Sequence, residues 1–182
     1  MMTGTVLLAG VTLLVSTLVL ATGFGLGTTL TPLFAFYFPV KTAIAMVAVV
    51  HLANNLLKLG LFARHVDFRV VKRFGALSFA GAFIGAFLQF ALVSDWVRVI
   101  LGVVLALLGI RELAGLEIGR IPRRWDWLGG LASGFVGGLV GNQGAIRSAY
   151  LLGYNMPKET FVATAALISA IVDMTRIPVY IA

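Results

Sequence analysis

Apolar residues along this chain gather into six long blocks, 5–38, 42–62, 74–93, 96–113, 127–153 and 159–181, separated by glycine clusters, prolines or short basic stretches. A run of about 18 or more apolar residues is long enough to cross a bilayer as a helix. The pattern therefore predicts an all-α, polytopic transmembrane helical bundle. The first block exceeds one ordinary span and falls short of two. It is interrupted by Gly23-Phe24-Gly25-Leu26-Gly27, with Pro32 soon after. Glycines at that density destabilise a continuous helix, which leaves a discontinuous helix or a re-entrant hairpin. Such backbone persists at membrane depth only where it is buried or lines a cavity. The fifth block repeats the design, with breaks expected at Gly137-Gly138 and at Gly141-Asn142-Gln143-Gly144. In the third block, Gly75, Gly81 and Gly85 permit close helix contacts.

A shift of 118 residues superposes the two halves at their unusual positions. Gly23 falls on Gly141, Pro39 on Pro157, Thr42 on Thr160, Ala45 on Ala163, Asn55 on Asp173 and Lys58 on Arg176. The expected organisation is a single membrane domain over 1–182, with repeat one at 5–113 and repeat two at 127–182, each starting with a Gly-broken or re-entrant helix. Four crossings per unit would make the repeats parallel, and three full crossings plus a hairpin would make them inverted. Repeat two lacks counterparts of the third and fourth blocks, so the expectation is a truncated chain or a partner chain that supplies them. Glycine-interrupted apolar segments at matching places in two halves are the sequence signature of a transporter binding site.

Composition agrees with the membrane class. Hydrophobic residues make up 60% and charged residues 12%, against about 45–50% apolar in soluble domains. With mean hydropathy at +1.02, a water-soluble fold could not cover that apolar surface. The first apolar stretch has no basic residue before it and reads as a retained membrane helix rather than a signal peptide. The net charge of +7 reflects basic loops rather than a nucleic-acid partner. Two membrane blocks separate the basic loops 64–73 and 111–124, so both lie on one side, and the positive-inside rule makes that side cytoplasmic in a multi-pass protein of the cell (inner) membrane. Trp125 and Trp127 suit the water–lipid interface. The absence of cysteine removes disulfide and thiol chemistry. No metal motif, nucleophile–base set or phosphate loop is visible, so no cofactor and no enzyme activity are expected.

Three segments together carry a family resemblance: Gly23-Phe24-Gly25-Leu26-Gly27 with Pro32-Leu33, Gly141-Asn142-Gln143-Gly144-Ala145-Ile146-Arg147-Ser148, and Lys158-Glu159-Thr160-Phe161-Val162-Ala163-Thr164. The chain resembles the TauE/SafE sulfite exporter family of membrane permeases along nearly its whole length. The stretch from Gly141 through Arg176 is the most specific part. The resemblance implies transport of small anions such as sulfite, thiosulfate, sulfonates or organic acids.

An anion entering hydrocarbon must have its hydration replaced. Helix N-termini offer unpaired N–H groups and the positive end of a dipole, and a broken helix brings them to mid-membrane. Gly25, Gly27, Thr28, Thr29, Asn142 and Gln143 are therefore candidate substrate-binding residues, against the plainer reading of glycines that only allow tight packing. Arg147, just after the second break, is the first candidate for anion coordination, because an intramembrane arginine is costly and is normally functional. The competing readings are a structural pair with Asp173 or snorkelling to the interface. Asn55 and Lys58, like Asp173 and Arg176, are three residues apart on one helix face. Asp173 and Arg176 either neutralise each other or take part in coupling, Lys58 either couples or snorkels, and His51 either relays protons or bonds to a neighbouring helix. The expected function is a secondary anion transporter, proton-coupled or not. A channel or uniporter is the first alternative, and a non-transporting membrane subunit that needs a partner chain is the second. The expected partners are the anion, the lipid bilayer and either a homodimer mate or a partner chain.

Overall fold

The structure, a computed structural model, describes residues 2–22, 25–115 and 123–181. Gly23, Phe24 and positions 116–122 of the basic loop 111–124 lie outside the described residues. Every regular element among the described residues is helical. The long helices are α1 (Met2–Thr22), α3 (Val40–Phe62), α6 (Ser94–Leu113), α7 (Asp126–Val140) and α9 (Lys158–Ile181), with short α2 (Leu26–Ala35) and α8 (Gly144–Leu152) between them. The three-residue α4 (Phe68–Val70), a π-helical turn (Val71–Gly75) and α5 (Ala76–Ala91) form one continuous helix, Phe68–Ala91. The helices Val40–His65, Phe68–Ala91 and Lys158–Ile181 are long and apolar enough to cross a membrane. Large apolar side chains such as Leu13, Phe83, Phe87 and Leu107 point outward. On a soluble monomer such exposure would be anomalous; in lipid it is the solvent-facing surface.

Local chemistry fixes the boundaries. Gly25 takes a left-handed conformation (φ 108°) immediately before α2, and Gly141 does the same (φ 82°) immediately after α7. That region disfavours any Cβ, which is why both breaks fall on glycine. Pro39 starts α3 from an extended conformation. Asp67 caps α4, its carboxylate accepting from the backbone N–H groups of Arg69 and Val70. One expectation is corrected here: α7 runs unbroken through Gly137 and Gly138. These glycines are packing residues. A Cβ on Gly138 would collide with the backbone of Ala82, and one on Gly137 would stand 2.8 Å from Gln143 Cβ.

Helix directions follow from which residues meet. Gly130, Gly134 and Gly138 of α7 abut Phe74, Ser78 and Ala82 in the same order, so α7 runs parallel to the Phe68–Ala91 helix. Gly129, near the start of α7, faces the Tyr150 ring near the end of α8, and Tyr154 donates to Asp126 Oδ2. Thus α7 enters, turns at Gly141–Asn142–Gln143, and α8 returns to the end where α7 began. The fifth block is thus a helical hairpin. Helices α3 and α9 are antiparallel: His51 and Asn55 meet Asp173, whereas Asp67, just past α3, donates its N–H to Thr164 near the start of α9. Helix α6 starts beside the start of α3, with Val97 and Leu101 packed on Val40 and Ile44. Its Arg111 end therefore lies towards the same face as the 63–67 turn. The two breaks meet inside the bundle, where Gly27 packs directly on the Gly141 carbonyl and lies close to the Asn142 side chain. Leu26, Leu30 and Phe34 of α2 hold the first break against Ala43 and Val47 of α3.

Candidate functional site

Midway along α9, Asp173 is fully buried. Its Oδ1 accepts from Arg176 Nε at 3.0 Å and Nη2 at 2.7 Å, one helical turn further on. Its Oδ2 meets two residues of α3, His51 Nδ1 at 2.7 Å and Asn55 Nδ2 at 3.2 Å. Arg176 spends its third nitrogen, Nη1, on the Gly137 carbonyl at 2.8 Å, and the Tyr180 hydroxyl donates to the Gly138 carbonyl. The carboxylate and the guanidinium thus satisfy each other. The pair also ties the tip of the α7–α8 hairpin to α9.

A second group of polar side chains is buried with nothing to bond to. Arg147 is 1% exposed, and its Nε and Nη1 have no hydrogen-bond partner. Lys58 is 2% exposed. It forms no ion pair among the described residues. The amides of Asn142 and Gln143 are unpartnered at both terminal atoms, and the hydroxyls of Thr31, Ser148 and Ser169 are unpartnered as well. An unsatisfied buried polar group costs about 1–3 kcal/mol, and more if charged. That many in one chain, concentrated on the two breaks and the helices flanking them, mark a place built for a polar guest. Helices α2 and α8 both start at the Gly27–Gly141 contact, so two helix N-termini converge on it. Each adds free N–H groups and a partial positive charge. Arg147 lies within electrostatic reach of Asp173, and Lys58 within reach of Arg147.

A groove of about 360 Å³ leads to these helix starts, lined by Gly25, Thr28, Thr29 and Ala145 on one side and by Leu105, Leu108 and Arg111 of α6 on the other. The candidates therefore separate. Asn142, Gln143 and Arg147 belong to the enclosed group, Gly27 closes the contact between the breaks, and Gly25, Thr28 and Thr29 line the approach. Thr29 spends its hydroxyl on the Gly25 carbonyl at 3.0 Å. His51, Asn55, Asp173 and Arg176 form the bonded cluster. Lys58 does not snorkel, because its position on α3 faces inward and buries it. Arg147 is not hydrogen-bonded to Asp173, whose oxygens are already taken by Arg176, His51 and Asn55. Sequence reasoning missed Thr31, Ser148 and Ser169. A signal existed for each: Thr31 and Ser169 lie four residues from Gly27 and Asp173, on the same helix faces, and Ser148 follows Arg147.

At the open base of the hairpin, Tyr154 bonds to the buried Asp126, and the Arg123 guanidinium lies 4.6 Å from the Tyr154 ring centroid. Burial, reinforced by the Asp126 hydrogen bond, raises the Tyr154 phenol above its ordinary pKa. This latch keeps the two arms of the hairpin together. No curated protein and no solved structure matches the chain. A family model described as sulfite exporter TauE/SafE matches residues 8–182.

Proposed function

The chain belongs to the TauE/SafE sulfite exporter family of membrane permeases, and from that premise we propose that it is a secondary transporter of small sulfur-containing or organic anions whose substrate rests between the two helix breaks. One observation carries the reading: Arg147, fully buried beside the second break, has two guanidinium nitrogens, Nε and Nη1, with no partner among the described residues. A structural arginine would have found its carboxylate, as Arg176 has. The antiparallel course of α3 and α9 supports inverted repeats, because these helices begin 118 residues apart, as do α2 and α8. Inverted repeats about a midplane site allow alternating access by rocking of one unit against the other. In this reading the groove at Gly25 and Arg111 faces the cytoplasm of an inner-membrane protein, beside the basic loops. His51, bonded to Asp173, is the residue placed to carry a coupled proton.

Uptake of labelled sulfite and thiosulfate into liposomes holding the purified protein tests this. The wild type is expected to show saturable uptake, and Arg147→Ala to lower its efficiency on the order of 100-fold, the loss associated with truncating a buried charge partner. Wild-type rates from Arg147→Ala would remove Arg147 from the site. A folded, inserted wild type that moves neither anion would refute the sulfur-anion assignment.

A further inference from the structure

Resting on the anion-transport reading above, we infer that the site selects doubly charged oxyanions over singly charged ones, with Lys58 and Arg147 each answering one negative charge. The argument is a count of buried charges. Three basic side chains lie inside the bundle, Lys58, Arg147 and Arg176, and Asp173 is the carboxylate among them. Asp173 and Arg176 form a closed pair, since the carboxylate oxygens and all three guanidinium nitrogens are spent. Two cations remain. The other described acids cannot serve them: Asp67 caps α4, Asp126 is held by Tyr154 at the base of the hairpin, and Asp95, Glu112 and Glu159 are on exposed positions. A buried charge without a counter-charge is strongly destabilising. A monoanion would leave one cation in that condition, whereas a dianion answers both.

The donor set suits the same guest. Arg147 offers two unpartnered guanidinium nitrogens, Nε and Nη1, and Lys58 offers a compact point charge from α3. The unpartnered amides of Asn142 and Gln143 supply neutral donors for remaining oxygens. His51 lies on the Asp173 side of the cluster and takes no part in this count.

The test is competition against saturable uptake of labelled thiosulfate by the full chain in liposomes, with unlabelled thiosulfate and methanesulfonate as competitors. The first is a dianion, and the second is a monoanion with three sulfonyl oxygens. In the wild type, methanesulfonate is expected to compete about 100-fold less well, the scale of a buried charge left unpaired. Lys58→Met keeps the stem and removes the charge, which relieves a buried cation and so preserves folding. It should narrow the difference to within about tenfold, and Lys58→Arg should restore it. If methanesulfonate competes as well as thiosulfate in the wild type, the valence inference falls and anion transport stands. If Lys58→Met keeps the full preference, Lys58 is not the second charge and the inference also falls. If the folded protein takes up no anion saturably, the inference falls together with the function it rests on.

Discussion

Asp173→Asn is expected to cost about 3–5 kcal/mol of stability, the range for removing one partner of a buried ion pair, and to give little folded protein at growth temperature. The amide keeps the shape of the carboxylate but cannot neutralise Arg176, which is 1% exposed and has no other acid beside it. It also takes the acceptor away from His51 Nδ1. The damage would come from the stranded charge rather than from lost packing. A double variant, Asp173→Asn with Arg176→Met, should therefore recover much of the loss, because replacing a whole buried pair by apolar or neutral groups is often neutral or better. Thermal melting of wild type, both singles and the double in detergent measures this coupling. A single variant as stable as the wild type would mean that Asp173 carries no charge in the folded protein.

Gly134→Val is the second large effect. A Cβ at Gly134 would land inside contact distance of the Ser78 carbonyl oxygen and 2.7 Å from Ser78 Cα and C. All three atoms are backbone, so no side chain can rotate away and α7 must separate from α5. Gly81, Gly85, Gly130 and Gly138 press on the facing backbone in the same way. In lipid, little hydrophobic force holds such helices together, and close packing of small residues carries much of the association. One bulky residue at the centre of the seam thus disrupts a contact along its whole length and releases the α7–α8 hairpin with it. Overpacking of this kind typically costs about 1–3 kcal/mol, and more where backbone must shift. Gly102→Val, at a helical glycine with open space around it, should leave melting and yield unchanged. Equal behaviour of the two variants would contradict the close α5–α7 seam.

These expectations also show which features the sequence could and could not reveal. The membrane class was plain from block length alone. The two breaks were visible because left-handed backbone at Gly25 and Gly141 demands glycine. The Asp173–Arg176 pair was readable because one helical turn sets its spacing. The role of Gly137 and Gly138 was not readable, since a glycine that breaks a helix and one that admits a neighbouring backbone look alike until the neighbour is placed. Nor was the bond from His51 to Asp173, which spans 122 residues of chain. A residue offset has no direction, so the antiparallel course of α3 and α9 could not be read from it. The fate of Arg147 and Lys58 turned on the same geometry. Both were visible as cations in apolar blocks, but only the folded arrangement of Arg176, His51 and Asn55 around Asp173 leaves them without a carboxylate among the described residues.

The bonds from His51 and Asn55 to Asp173 have a consequence for how the two long helices find each other. Part of the buried surface of α3 and α9, such as Val40, Ile44 and Val47 on one and Val162, Ile168 and Val172 on the other, is apolar, and lipid is as apolar as those side chains. Sliding one helix along the other by a turn would therefore change little energy in that part of the contact. At one level of the seam it changes a great deal, because the carboxylate meets the imidazole and the amide at a single alignment. A lone buried polar contact is the best-attested device for fixing register between helices. The cluster at Asp173 acts as the locating pin that brings the Gly27 and Gly141 breaks to the same depth.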